Sequence, residues 1–305
     1  MLLAILLLAQ DVQETKLRMA LVSMKCLLSD LAEPAQNRKN IEANLERHRV
    51  YIDQAAAQGA EFVGFPELSI NGYRFSPNMT WLSLDGPEVR AVAAKAVEKK
   101  LYVSVGLAER DADGKKWNTQ IVIGPDGKIV GKHHKIWLTA EGGHTERGTS
   151  HDVFEVKGVK MGIVTCADGS DFLNLKAVAD KGAKIIYGPH ANTTGSTLAG
   201  WYRFRARWGG EWDGKTVAAK TSNDGPEAQV PSGGWAAALN VHAALHNHAG
   251  LFDPPVAGDV PNRFAAGAWF IGPDGKTLAQ QPSSTERTDS REHLLIQDVT
   301  TRSFR

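Results

Sequence analysis

The sequence is nearly free of cysteine. Its two thiols, Cys26 and Cys166, cannot build a disulfide framework or a Cys-rich zinc module. It has no excess of either charge. Lys plus Arg number 35 against 34 for Asp plus Glu, and the net +1 gives no whole-chain attraction to nucleic acid or an anionic membrane. It also lacks an apolar run long enough to span a bilayer as a helix. The apolar opening, Met1 to Ala9, is nine residues long and gives way to Gln10-Asp11. Such a run could be the core of a short secretory signal, because the next strand candidate starts only near Lys16. Against this, no Lys or Arg precedes it, and Leu7 fits poorly three residues before a cut after Ala9. Residues 1–15 therefore read as a signal peptide or an apolar extension, and the compartment stays open between export and the cytoplasm.

What is present is ample apolar material. Hydrophobic residues make up 42% and charged residues 23%, enough for a large core and against wholesale disorder. The length would suit two domains of about 150 residues or one layered α/β domain. Short apolar runs alternate with amphipathic stretches. Met19 to Met24 reads as a strand. Pro34 to Gln58 reads as a helix, with Ile41, Leu45, His48, Ile52 and Ala56 drawing one stripe. Glu61 to Phe65 predicts a buried strand, Asp85-Gly86-Pro87 opens a second helix, and Leu101 to Leu107 is strand-like. Met161 to Thr165 is a strand, Asp171 to Lys181 a helix, and Ile185 to Tyr187 a strand, which argues for a crossover unit and a sheet covered by helices. Ala191 to Trp235 reads as irregular loops with a helix near Trp201 to Trp208, its Thr193 to Gly234 part an insertion or an unusual pocket loop, Ser283 to Arg291 as a polar loop, and His293 to Val299 as an edge strand. One pattern occurs twice. Ile121-Val122-Ile123-Gly124-Pro125-Asp126-Gly127-Lys128 returns 148 positions later as Trp269-Phe270-Ile271-Gly272-Pro273-Asp274-Gly275-Lys276. Each is a strand, a Pro-Asp-Gly turn and a second strand. Two similar sheets would explain the repeat, as would two common hairpins.

Three polar residues follow strand candidates: Glu67 and Cys166 come after apolar runs, and Lys135 after the second strand of the first hairpin. The carboxyl ends of strands are where sites gather in α/β sheets. A carboxylate, an ammonium and a thiol converging there would make a nucleophilic site. The ammonium favours a thiolate and a developing oxyanion, and the carboxylate moves protons. Singly, each residue has a plainer explanation as core cysteine, turn carboxylate or solvated lysine.

The local sequences add a resemblance. Gly64-Phe65-Pro66-Glu67 with Asn71-Gly72-Tyr73, then His133-His134-Lys135-Ile136-Trp137-Leu138-Thr139, then Gly162-Ile163-Val164-Thr165-Cys166-Ala167-Asp168, are similar in order and spacing to the three signatures of the nitrilase superfamily of carbon–nitrogen hydrolases. The similarity runs from about Lys16 to Gln280. It implies an α/β fold, a four-layer αββα sandwich of two mixed β-sheets flanked by helices, in a single domain over 16–300. It implies Glu67 as general base and acid, Lys135 as cationic stabiliser and Cys166 as nucleophile, with the Ala167 amide as second oxyanion donor. A second glutamate of the family positions substrate and nucleophile; Glu141 fits best and Glu146 is the rival. Lys132 is a rival to Lys135, but Leu138 follows Lys135 as the signature requires. No metal or organic cofactor is implied. The expected partners are a small-molecule amide or related substrate and a second copy of the chain, with no nucleic acid and no stable membrane span. The expected chemistry is hydrolysis of a non-peptide C–N bond, in an amide or a carbamoyl amine, through a thioester. Nitrile hydrolysis by the same triad, or a binding protein that has lost catalysis, is the alternative. The second is suggested by Ala167 and Gly169-Ser170-Asp171-Phe172, where the family commonly has an aromatic residue and then a Pro-Glu pair.

Two further groups bear on other chemistries. His242, His246 and His248 are spaced i, i+4, i+6; on a helix the first two would share a face and could bind zinc, yet no acidic residue lies nearby in sequence. Trp201, Arg203, Arg205, Trp208 and Trp212 mix aromatic and basic residues, as a stacking platform for nucleic acid would, although the neutral charge favours a pocket wall or helix face.

Overall fold

The computed structural model describes residues 12–192, 210–212, 215–217, 234–250, 264–281 and 291–304. The opening apolar run, the Trp201 to Trp208 segment with its basic residues, and the loop from Ser283 lie outside them. The described elements are β1 (Val12–Ser23), α1 (Pro34–Ala57), β2 (Phe62–Gly64), α2 (Pro87–Lys99), β3 (Tyr102–Arg110), β4 (Lys116–Ile123), β5 (Ile129–His134), β6 (Val153–Val156), β7 (Val159–Ile163), α3 (Phe172–Asp180), β8 (Ile185–His190), β9 (Gly210–Trp212), β10 (Lys215–Val217), α4 (Gly234–Leu239), β11 (His242–Asn247), β12 (Ala268–Ile271), β13 (Thr277–Gln281) and β14 (His293–Phe304). Strand β1 begins at Val12, ahead of the Lys16 start that the sequence suggests, because residues 12–15 pair with the far end of β14.

Twelve of these strands form two six-stranded sheets, in the orders β14-β1-β2-β3-β4-β5 and β13-β12-β11-β8-β7-β6. Both are mixed, and they are built alike. From β14 the first sheet steps antiparallel, parallel, parallel, antiparallel, antiparallel. From β6 the second takes the same steps in the same order. Helices α1 and α2 lie between β1, β2 and β3 in the chain, as α3 and α4 lie between β7, β8 and β11. The repeated Pro-Asp-Gly hairpins are β4–β5 and β12–β13, the last two strands of each series, and both ladders shift register at the end of their first strand. The repeat in the sequence is therefore a repeat of architecture.

Side-chain alternation explains the layers. In β1, Leu17, Met19 and Leu21 pack with Phe62, Met161, Ile185, Tyr187 and Phe270 between the two sheets. Ala20 and Val22, one step out of phase, pack with Ile41, Leu45, Ile52 and Val92 of α1 and α2 on the outer face. A strand buried on both faces reads as an unbroken apolar run, as Met19 to Val22 does. On the far side Phe172, Leu175 and Val178 of α3 and Trp235 of α4 cover Ile186, Ala243 and Ile271. The result is an αββα sandwich. Helix α3 starts where Asp171 accepts a hydrogen bond from the Leu173 amide at 2.9 Å.

His242 to Asn247 forms a strand, not a helix. Insertion between β8 and β12 overrides the helix-friendly Ala-Ala-Leu composition. Four strand residues span about 13 Å, so His242 and His246 cannot share an ion. Each is engaged elsewhere: His242 Nε2 lies 3.0 Å from the Thr300 carbonyl and His246 Nδ1 lies 2.7 Å from that of Val22. Among the described residues no group of three or more His, Cys, Asp or Glu side chains is disposed to hold a metal ion, and no helix is long and apolar enough to cross a membrane.

Candidate active site

Glu67 comes from the turn after β2. The chain leaves the strand at Phe65, whose amide donates to the Ser104 carbonyl, and doubles back through Leu68 at φ +53°. The turn is gripped from several sides. Asn44 of α1 donates to the Ile70 carbonyl at 3.0 Å, His48 of α1 accepts from Ser69 Oγ at 2.9 Å, and the His248 ring donates from Nε2 to the Glu67 carbonyl. Burial pushes the His48 and His248 imidazoles down to about 4, so both act as neutral props. Against β3 the fit requires glycine. A Cβ on Gly106 would sit 2.2 Å from the Leu68 amide nitrogen.

Lys135 follows β5. Its amide donates to the Asn118 carbonyl of β4 and its carbonyl accepts from Gly148, both at 2.9 Å. The side chain is fully buried, with Nζ 2.7 Å from Glu67 Oε1 and 2.5 Å from Glu141 Oε1. Lys132 and Glu146, the rivals, are exposed. Asn118 Nδ2 bridges the same two carboxylates, at 2.8 Å from Glu67 Oε1 and 3.3 Å from Glu141 Oε1. Nothing in its own sequence neighbourhood marks Asn118. It looks like an ordinary strand residue until the β4–β5 register sets it beside the lysine.

The two carboxylates share one ammonium and differ in everything else. Glu141 is saturated: its Oε2 accepts from the Tyr73 hydroxyl at 2.9 Å, the Thr139 hydroxyl at 3.0 Å and the Thr139 amide at 3.2 Å. Burial acts to raise its pKa, but the ammonium and these donors hold it below the usual carboxylate range. Among the described residues only Oε1 of Glu67 has partners, and its Oε2 is buried without one. Burial, opposed by Lys135 and reinforced by the charge of Glu141, pushes Glu67 up to about 7. Lys135 is itself held well above its usual value. Burial works against the charge, and the acidic groups around it, Glu67 first and then Tyr73, Cys166 and Glu141, together outweigh it. Environments that drive paired groups apart in this way separate an acid–base shuttle from a fixed anion.

Cys166 opens the 3₁₀ turn Cys166–Ser170 after β7 and adopts φ +46°, a strained value for a side-chain-bearing residue. Burial and then the charge of Glu67 push its thiol up, while Lys135 pulls it down. The resting sulfur is therefore a protonated thiol in the field of both groups. Ala167 follows it, buried, in the same turn. Asp168 ties this turn to the lysine segment. Its Oδ1 accepts from the amides of Ile136 at 3.0 Å and Trp137 at 2.5 Å, and its Oδ2 lies 2.7 Å from His133 Nε2. His134 faces the other way, to Glu109 at 2.9 Å and against the Trp117 ring, as adjacent strand residues must. Cys26 lies apart, beside Arg47 and Glu292.

The family profile described as carbon–nitrogen hydrolase matches residues 31–301. The chain belongs to the carbon–nitrogen hydrolase family. Among curated proteins it is 29% identical over 212 residues to an aliphatic nitrilase of Sinorhizobium fredii, covering 61% of this chain and 64% of the relative. It is 29% identical over 178 residues to the bifunctional nitrilase/nitrile hydratase NIT4A of Lupinus angustifolius, covering 50% of each. It is 29% identical over 170 residues to the omega-amidase NIT2 of Xenopus tropicalis, covering 52% of this chain and 61% of the relative. The match thus spans less than two thirds of each relative's length. Among solved structures, a cysteine-to-alanine variant of a Nesterenkonia AN1 amidase from the nitrilase superfamily superposes with a TM-score of 0.68 at 17% identity, over 93% of this chain and 90% of that one. That likeness shows the shared fold.

The grip on Glu67 gives this hydrolase a test that leaves every ionisable group in place. Gly106→Ala drives a methyl group into the Leu68 amide, so the Glu67 turn must lift off β3. Overpacking of this kind destabilises by about 1–3 kcal/mol. We expect a modest fall in melting temperature and a fall of about 10²-fold in kcat/KM, since a displacement near 1 Å at a reacting group has that effect. Wild-type activity in the folded variant would show that the turn's position is unimportant.

Proposed function

We propose that the protein is a thiol amidohydrolase that cleaves the C–N bond of a small amide or carbamoyl amine through a thioester on Cys166. The observation that supports this most is the asymmetry of Glu67: one oxygen tied to Lys135 and Asn118, the other buried and unbonded, on a carboxyl pushed to about 7. A group near neutrality can accept and return a proton within one turnover.

In this reading Glu67 takes the proton from the Cys166 thiol as sulfur attacks the carbonyl carbon, and the carbonyl π pair becomes an oxyanion. The Lys135 ammonium and the Ala167 N–H stabilise that charge. Glu67 then passes its proton to the nitrogen, the C–N bond breaks, and ammonia or an amine leaves a thioester. A water gives one proton to Glu67 and adds to the thioester carbonyl. The second tetrahedral species collapses to a carboxylic acid, expelling sulfur, which recovers the proton. Glu141, saturated with hydrogen bonds, holds the ammonium between the two steps and stays ionised. A buried ion pair of this kind adds little to stability, which fits a role in chemistry. The aliphatic nitrilase and omega-amidase relatives bracket the substrate range, and the fully occupied Glu141 beside a shuttle at Glu67 suits expulsion of an amine.

The pH profile tests the shuttle. Below about 7 Glu67 is protonated and cannot accept the thiol proton, so kcat/KM should rise about tenfold per pH unit up to that point and then level. Glu67→Gln should remove this limb and lower the plateau by about 10²–10⁴-fold. A limb that persists unchanged in Glu67→Gln assigns it to another group and ends the role given to Glu67.

A further inference from the structure

The steps above leave one polar group beside the sulfur without a task. Asn192 follows β8, and its Oδ1 lies 3.6 Å from Cys166 Sγ, within reach of the thiol proton. The other end of the carboxamide, Nδ2, is buried and has no partner among the described residues. The main chain at this point is fixed by three hydrogen bonds. Asn192 N donates to Asn247 Oδ1 at 2.9 Å, and Asn192 O accepts from Asn247 Nδ2 and from the Ala265 amide, both at 2.8 Å. Asn247 Oδ1 also accepts from the His248 amide at 2.9 Å, and the His248 ring holds the Glu67 carbonyl. The Asn192 main chain is thus linked through Asn247 and His248 to the Glu67 turn.

A buried donor without an acceptor costs about 1–3 kcal/mol, which an apolar side chain here would avoid. An acceptor that arrives with the substrate would relieve it. Geometry limits where that acceptor can be. The two ends of a carboxamide are about 2.2 Å apart, so Nδ2 lies at most about 6 Å from sulfur. A carbonyl carbon waiting about 3–3.5 Å from sulfur can bring its own neighbouring carbon, and an oxygen on that carbon, within hydrogen-bond reach of Nδ2.

We propose that Asn192 is a specificity-determining donor, and that the enzyme prefers amides bearing a hydroxyl or keto oxygen on the carbon next to the scissile carbonyl. This rests on the reading of Cys166 as the nucleophile of an amidase. Sites built to bond a substrate oxygen discriminate strongly against analogues that lack it.

The test measures binding of racemic lactamide and of propionamide, which differ by one hydroxyl, to Cys166→Ala, which cannot turn either over. We expect lactamide to bind at least about tenfold more tightly. Adding Asn192→Ala or Asn192→Asp should bring the two affinities together by weakening lactamide alone. Asn192→Asp keeps the side-chain size while replacing the donor with an acceptor, so it carries the test even if Asn192→Ala fails to fold. Equal affinities in Cys166→Ala, or a preference that survives Asn192→Asp, would overturn the proposal and leave the amidase reading standing. Equal weakening of both amides would assign Asn192 to the scissile carbonyl and also overturn it. No binding of either amide would overturn the proposal together with the amidase reading.

Discussion

Replacing Cys166 with alanine will abolish turnover and leave the molecule folded. The thiol's polar contacts are weak, to Asn192 Oδ1 at 3.6 Å and to the Ala191 backbone, and alanine tolerates the φ of +46° no worse than cysteine does. The stability change should therefore stay within about 1 kcal/mol, while loss of a nucleophile typically removes activity on the order of 10⁴-fold or more. Ammonia release from a panel of amides, set beside circular dichroism and the melting temperature, reads both quantities. Cys166→Ser should be nearly as inert, because a hydroxyl is far harder to deprotonate than a thiol for a base near 7. Turnover by the alanine variant at the wild-type rate would end the thioester mechanism.

The second large effect concerns Lys135→Met. Methionine fills much of the same space but leaves Glu67 and Glu141 facing each other, both fully buried. Removing one partner from a buried charge cluster is destabilising by about 3–5 kcal/mol. The pH dependence gives this a signature. In the wild type, Glu67 at about 7 lies above its ordinary value, so the folded state holds more protons there and this group alone erodes stability as pH rises toward 7. Glu141 is held low and works the other way, adding stability that is lost as pH falls through its depressed value. Without the ammonium both carboxyls are pushed up, and the two contributions take the same sign. The melting temperature of Lys135→Met should thus approach the wild-type value near pH 5 and fall well below it at pH 8. Activity should drop by 10²–10³-fold or more, as for loss of an oxyanion partner. A deficit in melting temperature that is the same at both pH values would contradict this account of the cluster.

Much of the architecture could be read before any coordinate. Apolar runs such as Met19 to Val22 are strands buried on both faces, and the twice-occurring Pro-Asp-Gly hairpin marks equivalent places in two sheets of one design. Glu67, Lys135 and Cys166 stand out because each follows a strand candidate and sits in a family-like signature, and resemblance supplies Glu141. Two kinds of information were hidden. Asn118 becomes important only through strand register, which one chain segment cannot reveal. The orphaned ends of Glu67 and Asn192 depend on what fails to reach them, and a sequence does not record missing neighbours. The His242 to His248 segment misled in the other direction. Its spacing suits a helix, but its fate is decided by the strands on either side.

The doubled architecture has a consequence for where function resides. Glu67, Lys135, Asn118 and Glu141 come from the first sheet and the connections around it; Cys166 and Asn192 come from the second. Neither copy of the repeat owns a working apparatus. In the proposed mechanism sulfur is delivered by one and the proton carrier by the other, so competence would be a property of the seam. In that reading it lasts only while the packing between the two sheets keeps them in register.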